Sequence, residues 1–489
     1  MFEPKETLTE EDVYRGQRLV ISDGLASEAM NALAGGVFLT AVALLLGANN
    51  FQIGVLAALP TVTNFFQLIS IWLVRRLKNR RLICVVCTVL ARVPLIIAGI
   101  CIFYFQGPIS LVILFLFFYY LFGSISGLAW NAWMKDLIPE TILGIYFARR
   151  TSFMQITNAS LSLILALVVD YVKLHYPQFE LTAYSVMFLL AGAIGVFGAS
   201  FLARTPEPVS RLSNENIFTL LKMPLKDGNF LRLLVFNSIW IFAINMATPF
   251  FTVFMMKSMG LPLSYIIGLT ILSQLSGIFT IKIWGIFADR YSNKTIIAIA
   301  APLYIVCLIA WCFVGIYTRF APNMILLVLI HIASGTTLAG INLCLTNIGL
   351  KLAPSKYSII YLSVKNIITA IFSSIAPLLG GVLADYFMQR KITIDGLLSG
   401  PRHQKIIHLI SLREWNFLFL ISAVIALVAV QLLVNVKETG EVDKDNVRRI
   451  MRSKIKSNLR DYFLIGNLIN WQEQLFTILK RKKNEAARR

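Results

Sequence analysis

Apolar runs of about twenty residues recur along most of this 489-residue chain. A helix rises ~1.5 Å per residue, so each run can cross the ~30 Å hydrocarbon core of a bilayer. Spanning helices satisfy their own backbone hydrogen bonds, which lipid cannot do. Only 14% of the residues are charged and 57% are hydrophobic, whereas a soluble chain carries roughly a quarter charged residues. The chain therefore reads as an all-α polytopic membrane protein. Its first twenty residues, MFEPKETLTEEDVYRGQRLV, lack the basic start and apolar core of a secretory signal.

Twelve transmembrane helices are predicted, near 23–47, 51–74, 82–105, 109–134, 151–172, 183–203, 232–256, 264–287, 295–317, 323–350, 359–388 and 414–435. The tenth and eleventh are long enough to include interfacial turns. The polar stretch 204–231 divides the chain into a cytoplasmic N-terminal segment (1–22), a first six-helix bundle (23–203), a cytoplasmic linker (204–231), a second bundle (232–435) and a basic tail (436–489). Most of the 45 Lys and Arg fall on the side that holds the termini and the linker. The positive-inside rule then predicts that both termini are cytoplasmic, and a bacterial inner membrane is the expected location. The net charge of +20 is a matter of topology and contact with anionic lipid. Nucleic-acid binding would need a soluble basic domain, which is not evident. The basic loop 389–413, QRKITIDGLLSGPRHQKIIHLISLR, is a local exception on the outer side and is expected to hold a short amphipathic helix.

The halves also match one another. A shift of 214 residues brings Asn31 onto Asn245, and a shift of 215 brings Tyr146 onto Tyr361, Arg150 onto Lys365 and Asp170–Tyr171 onto Asp385–Tyr386. Two parallel six-helix repeats imply a transporter-like fold with its substrate between the halves.

The break GIFADRYSNK, Gly285–Lys294, resembles the signature loop of the major facilitator superfamily, which in that family follows helices 2 and 8. The resemblance spans about residues 20–436 by topology. It implies that Gly285 permits close helix packing, and that Asp289 faces the positive N-terminal end of a helix from the other half. Arg290 and Lys294 would tie the cytoplasmic ends together, closing an inner gate. With the repeat, it places Asp289 against the start of helix 5, near Thr151 and Ser152, and pairs Arg76 with Asp136. The first-half loop IWLVRRLKNRR departs from the pattern, with Ile71 for the glycine and Arg75 for the acid. The stretch GLAWNAWMKDLIPETILGIYFARR (127–150) is similar to the helix 4–5 region of a bacterial branch of that superfamily. PLLGGVLADY (377–386) fits its helix 11, where small residues allow close crossing.

Polar residues inside spans are costly and point to mechanism. Glu28 is a candidate proton carrier, or else a carboxylate at the helix entrance paired with Arg15, Arg18 or a loop base. Asn31 and Asn245 are candidate cavity residues or interhelical hydrogen-bonders. Arg92 reads first as a structural partner of another helix, with substrate anchoring as the alternative. His331 is a candidate proton relay or a packing histidine. Asn131 is a candidate cavity residue, while Trp130 and Trp133 at the end of helix 4 read as an interfacial belt. Lys365 is expected at the membrane surface. Asp170 and Asp385 are expected to mark the outer interface, with a gate role as a second reading.

All six cysteines lie in spans. Cys84-x-x-Cys87 has no accompanying His or second pair and reads as packed thiols. No zinc spacing, phosphate-cradling loop or nucleophile elbow is evident. The expectation is a secondary active transporter without cofactor and not an enzyme, acting as a monomer on a small-molecule substrate. The rival readings are a binding or sensor protein on the same fold and a lipid-modifying membrane enzyme. The tail segment 446–483 is expected to form an amphipathic helix on anionic lipid.

Overall fold

The computed structural model describes residues 4–6, 8–105, 108–209, 222–315, 320–354, 357–399 and 404–438. Among these are twelve helices long and apolar enough to cross a membrane. They are α1 (Glu10–Leu45), α2 (Asn50–Leu77), α3 (Arg80–Tyr104), α4 (Ile109–Leu137), α5 (Leu143–His175), α6 (Pro177–Arg204), α7 (Gly228–Lys257), α8 (Leu263–Arg290), α9 (Asn293–Phe313), α10 (Phe320–Leu352), α11 (Ile360–Phe387) and α12 (Trp415–Leu433). The protein is an all-α, multi-pass membrane protein. The long α10 and α11 are continuous helices. The tail helix expected at 446–483 lies outside the described residues.

Local chemistry explains where several helices begin. α1 starts well before its apolar run. Thr9 and Asp12 form a reciprocal capping box, and Glu10, Glu11 and Asp12 put negative charge on the first turn, where the helix dipole favours it. α5 starts at Leu143, before its apolar run, which places Arg150 inside the helix.

α1 is interrupted. Gly35 is extended, and Gly36 takes φ +54, a conformation that costs other L-residues. A second segment then runs Gly36–Leu45. Asn31 sits just before this break and Glu28 one turn earlier.

Within the first half α3 packs on α4 and α6, and α1 on α5 and α6. Within the second half α8 packs on α10, α9 on α10, and α7 on α11 and α12. Trp240, Phe250 and Phe419 are fully buried there. Between halves, α2 packs along α11 and α5 along α8.

The loop between α11 and α12 differs from expectation. It forms an antiparallel hairpin, β1 (Lys391–Ser399) and β2 (Gln404–Arg413), with Lys391 opposite Arg413 and a bulge at Ile394/Asp395. Isoleucines in both arms and Thr393 in the first favour strands over a helix, because β-branched side chains suit extended backbone.

Candidate functional site

Two sets of carboxylates and one polar cluster inside the first half organise the molecule. The first set lies on the face opposite the termini. Asp385, at the end of α11, accepts the backbone N–H of Asn50 (3.0 Å), its side-chain amide (2.9 Å) and the N–H of Phe51 (2.9 Å). Trp415 Nε1 donates to Asn50 Oδ1 at 3.2 Å. Asp170, at the end of α5, accepts the N–H groups of Leu263 (2.9 Å) and Ser264 (2.8 Å). Neither α2 nor α8 has an acid in its own first turn. Each helix start therefore takes its negative charge from the other half. Gly381 lets the chains approach, since a Cβ there would lie 2.6 Å from the Asn50 carbonyl. Among the described residues, the hydrogen bonds that join the halves lie on this face.

The second set lies on the terminus face, inside each half. Glu207, 1% exposed, accepts the N–H groups of Arg80 (2.7 Å) and Arg81 (3.0 Å) and Arg80 Nε (3.2 Å). Arg80 also donates to Pro208 O and to Asp136. Glu438 does the same for α9, accepting from Asn293 N (3.2 Å), Asn293 Nδ2 (2.8 Å), Lys294 N (2.7 Å) and Lys351 Nζ (3.2 Å). Burial alone would raise the Glu438 carboxyl, but these donors hold it below the usual range. α3 opens on two bases, against its own dipole, so a carboxylate must come from elsewhere. That pair of bases, and the acid shortly after the last helix of each half, is the signal that could have revealed these clamps.

The expected gate is arranged differently. Asp136 pairs with Arg80, and Arg76 instead lies over the Trp72 ring at 5.2 Å; Arg80 reaches Asp136 because Glu207 anchors it at the helix start. Asp289, Thr151 and Ser152 are all exposed, and among the described residues no hydrogen bond or ion pair joins Asp289 to α5. Arg290 lies over Tyr291, and Lys294 Nζ donates to Val434 O within its own half. A Cβ on Gly285 would meet only Leu343, at 3.8 Å. The close crossing of α8 and α10 is at Gly335, against Ser273.

The polar cluster gathers several predicted residues. Asn158 Nδ2 donates to Glu28 at 3.1 Å, and Tyr119 OH donates to Asn31 Oδ1 at 3.1 Å. Arg92 Nη2 reaches Ser27 Oγ at 3.5 Å. Asp23, only 5% exposed, sits in the field of Arg92 and Arg150. Arg150 donates to Val20 O at 3.4 Å and stacks over Trp130 at 4.8 Å. Two cavities open here, both lined by Arg92: one of about 260 Å³ with Asn64, Gln67 and Tyr119, and one of about 200 Å³ with Asp23, Trp130 and Arg150. Sequence reasoning missed Asp23, Arg150, Tyr119 and Asn158, because each needs a partner on another helix.

The remaining candidates lie elsewhere. Asn245 donates to Ser373 Oγ at 2.8 Å inside the second half. His331 bonds Leu327 O at 2.8 Å and packs edge-on to Trp311, as a packing histidine does. Asn131 is exposed. Trp133 is fully buried and donates to Pro206 O at 3.0 Å, so it belongs to the core and not to an interfacial belt. Lys365 is 8% exposed and donates to Leu345 O between α10 and α11; its stem packs beside Gly349, and the ammonium takes a helix carbonyl in place of water. The cysteines are free, Cys84 and Cys87 being buried.

No curated protein is significantly similar in sequence. Solved structures are similar in fold. The nucleoside transporter NupG aligns at 14% identity over 88% of this chain and all of its own, with TM-score 0.63. A bacterial homologue of the human lysosomal transporter Spinster, inward-facing and unoccupied, aligns at 14% identity over 78% of this chain and 84% of its own, with TM-score 0.58. A POT family transporter in complex with 5-aminolevulinic acid aligns at 13% identity over 88% of this chain and 97% of its own, with TM-score 0.59. The sequence profile of the Major Facilitator Superfamily matches residues 25–371. With that match across most of the chain and the paired six-helix architecture, the protein belongs to the Major Facilitator Superfamily of membrane transporters.

Proposed function

We propose that the protein is a secondary active transporter that moves a small solute by alternating access, coupled to protons through Glu28. The observation that carries this reading is the asymmetry between faces. On the far face Asp170 and Asp385 cross between halves, while the terminus-face clamps at Glu207 and Glu438 stay within halves. Such an arrangement is one of the two states that alternating access requires, and each cross-half contact exists only in that state. The positive-inside asymmetry supports assigning the terminus face to the cytoplasm, so this state is inward-facing. The bacterial inner membrane is the proposed location and a monomer the proposed unit. Glu28 is half-buried beside the break in α1, and among the described residues its hydrogen-bond donor is the Asn158 amide. Its role is favoured over that of His331, which packs against Trp311.

One feature favours a second reading, that of a sensor: the first-half signature loop has Arg75 where the acid belongs. Solute uptake and internal pH in proteoliposomes separate the two. A panel of small solutes is presented under an imposed proton gradient. Solute uptake that follows the gradient supports transport. Solute binding without uptake or internal acidification supports the sensor reading.

A further inference from the structure

Arg92 sits deep in the first half. It lies twelve residues past Arg80 at the start of α3, about 18 Å along the helix axis. A guanidinium at such depth is expensive and is ordinarily paired. Here it is not. Among the described residues, no carboxylate oxygen lies within the 4.0 Å that defines an ion pair with Arg92. Among the described residues its Nε is buried without a partner, packed where a side chain on Gly195 would be, and its hydrogen bond is the long contact to Ser27 Oγ at 3.5 Å. The neighbouring Arg150 is better provided for, with Val20 O and the Trp130 face.

The larger cavity offers what such a group lacks. It holds about 260 Å³ and is lined by Arg92, Asn64, Gln67 and Tyr119. Gln67 donates to Asn64 Oδ1 at 3.0 Å, which leaves the Asn64 amide hydrogens free to face a ligand. We infer that this cavity is an anion subsite, in which Arg92 and Asn64 bind the carboxylate of a small organic acid carried by the protein. A carboxylate fits better than a phosphate. Among the described residues Arg92 is the sole charged one lining this cavity, and the planar guanidinium matches a carboxylate in two-point contact. The inference rests on the transport reading above and names its substrate class.

The charges nearby are Asp23 and Glu28 on α1, Arg92 on α3 and Arg150 on α5, with the phenol of Tyr119 on α4.

The test is ligand stabilisation of the full-length protein in detergent at about pH 5.5. The probes are acetate, lactate, benzoate and succinate, with acetamide, lactamide and benzamide as uncharged controls. The expected result is stabilisation by at least one carboxylate and by no amide, with affinity falling about tenfold or more in Arg92→Gln and partly recovered in Arg92→Lys. Stabilisation by no carboxylate, or equal stabilisation by acid and amide, overturns the inference on wild-type protein alone, even if Arg92→Gln fails to fold. Binding within about twofold of wild type in a folded Arg92→Gln also overturns it. Solute uptake into proteoliposomes without carboxylate binding would remove the anion subsite and leave transport standing, while carboxylate binding without any uptake would do the reverse.

Discussion

Asp385 accepts hydrogen bonds from both the backbone N–H and the side-chain amide of Asn50, at 3.0 and 2.9 Å, across the boundary between halves. Asp170 repeats the arrangement with Leu263 and Ser264. Each carboxylate meets the positive end of a helix that has no acid of its own there. A hydrogen bond to a charged group contributes roughly 1.5–3 kcal/mol when shielded, and less at this partly exposed face.

The double variant Asp170→Ala/Asp385→Ala is expected to lose about 2 kcal/mol of bias toward this conformation, roughly a thirtyfold change in population. Double electron–electron resonance between spin labels on the far ends of α2 and α11 reads it out. The far-face distance should lengthen in the double variant and shift less in either single variant. An unchanged distance distribution would show that the two carboxylates do not hold this face closed.

Asp289 has no partner among the described residues across the halves in this conformation. Asp289→Asn is therefore expected to leave the apparent melting temperature within about 1 °C, in keeping with a surface change. It should destabilise the opposite, terminus-face-closed state by about 0.5–1 kcal/mol through loss of a charge–dipole contact. Cysteine accessibility on the terminus face should rise in a background where the far-face carboxylates are removed. If it does not rise there, Asp289 has no latch function.

Glu438 ties α9, α10 and the chain after α12 together. Its carboxyl is held below the usual glutamate range by the donors around it. Above the unfolded value of about 4.3 the group is charged in both folded and unfolded chains, and its contribution is then fully present. The contribution is lost as pH falls through the lowered folded value. Glu438→Gln should lower stability by about 1–2 kcal/mol at neutral pH, and the gap to wild type should close as pH falls through the lowered folded value. A gap that persists at low pH would mean that the glutamine fails through packing and not through charge.

The same residue sets where the tail can be removed. Truncation after Val436 takes Glu438 away and should lower thermal stability by at least as much as Glu438→Gln. Truncation after Gly440 keeps the clamp and should preserve insertion, stability and solute uptake. Equal behaviour of the two truncations would assign no structural role to the residues just after α12.

Glu28→Gln is expected to abolish gradient-driven solute accumulation in proteoliposomes while retaining solute exchange. His331→Gln should keep both, because its imidazole packs against Trp311 within the second half. The reverse pattern would move the coupling site to His331.

The sequence by itself determined the class of fold. Apolar runs that must cross lipid can only be helices here, their number and a shared register made two parallel six-helix halves, and the break at Gly285–Lys294 identified the family before any contact was known. The repeat also brought Asp170 onto Asp385, because both halves place an acid at the end of the same helix. What it could not decide was whether those acids join the two halves. That depends on the helix start each one meets, and Asn50 lies 335 residues from Asp385. The isoleucines in the loop after α11 were visible too, but whether they pair as strands depends on closing the hairpin. Arg76 and Arg80 flank the break between α2 and α3, close together on the chain. Only tertiary structure sends Arg80 to Asp136, because Glu207, arriving from beyond α6, fixes the arginine's stem first. Arg92 carries the same lesson. Its depth was legible from its distance past the helix start, but its lack of a carboxylate within ion-pair distance and the cavity beside it are properties of four helices brought together.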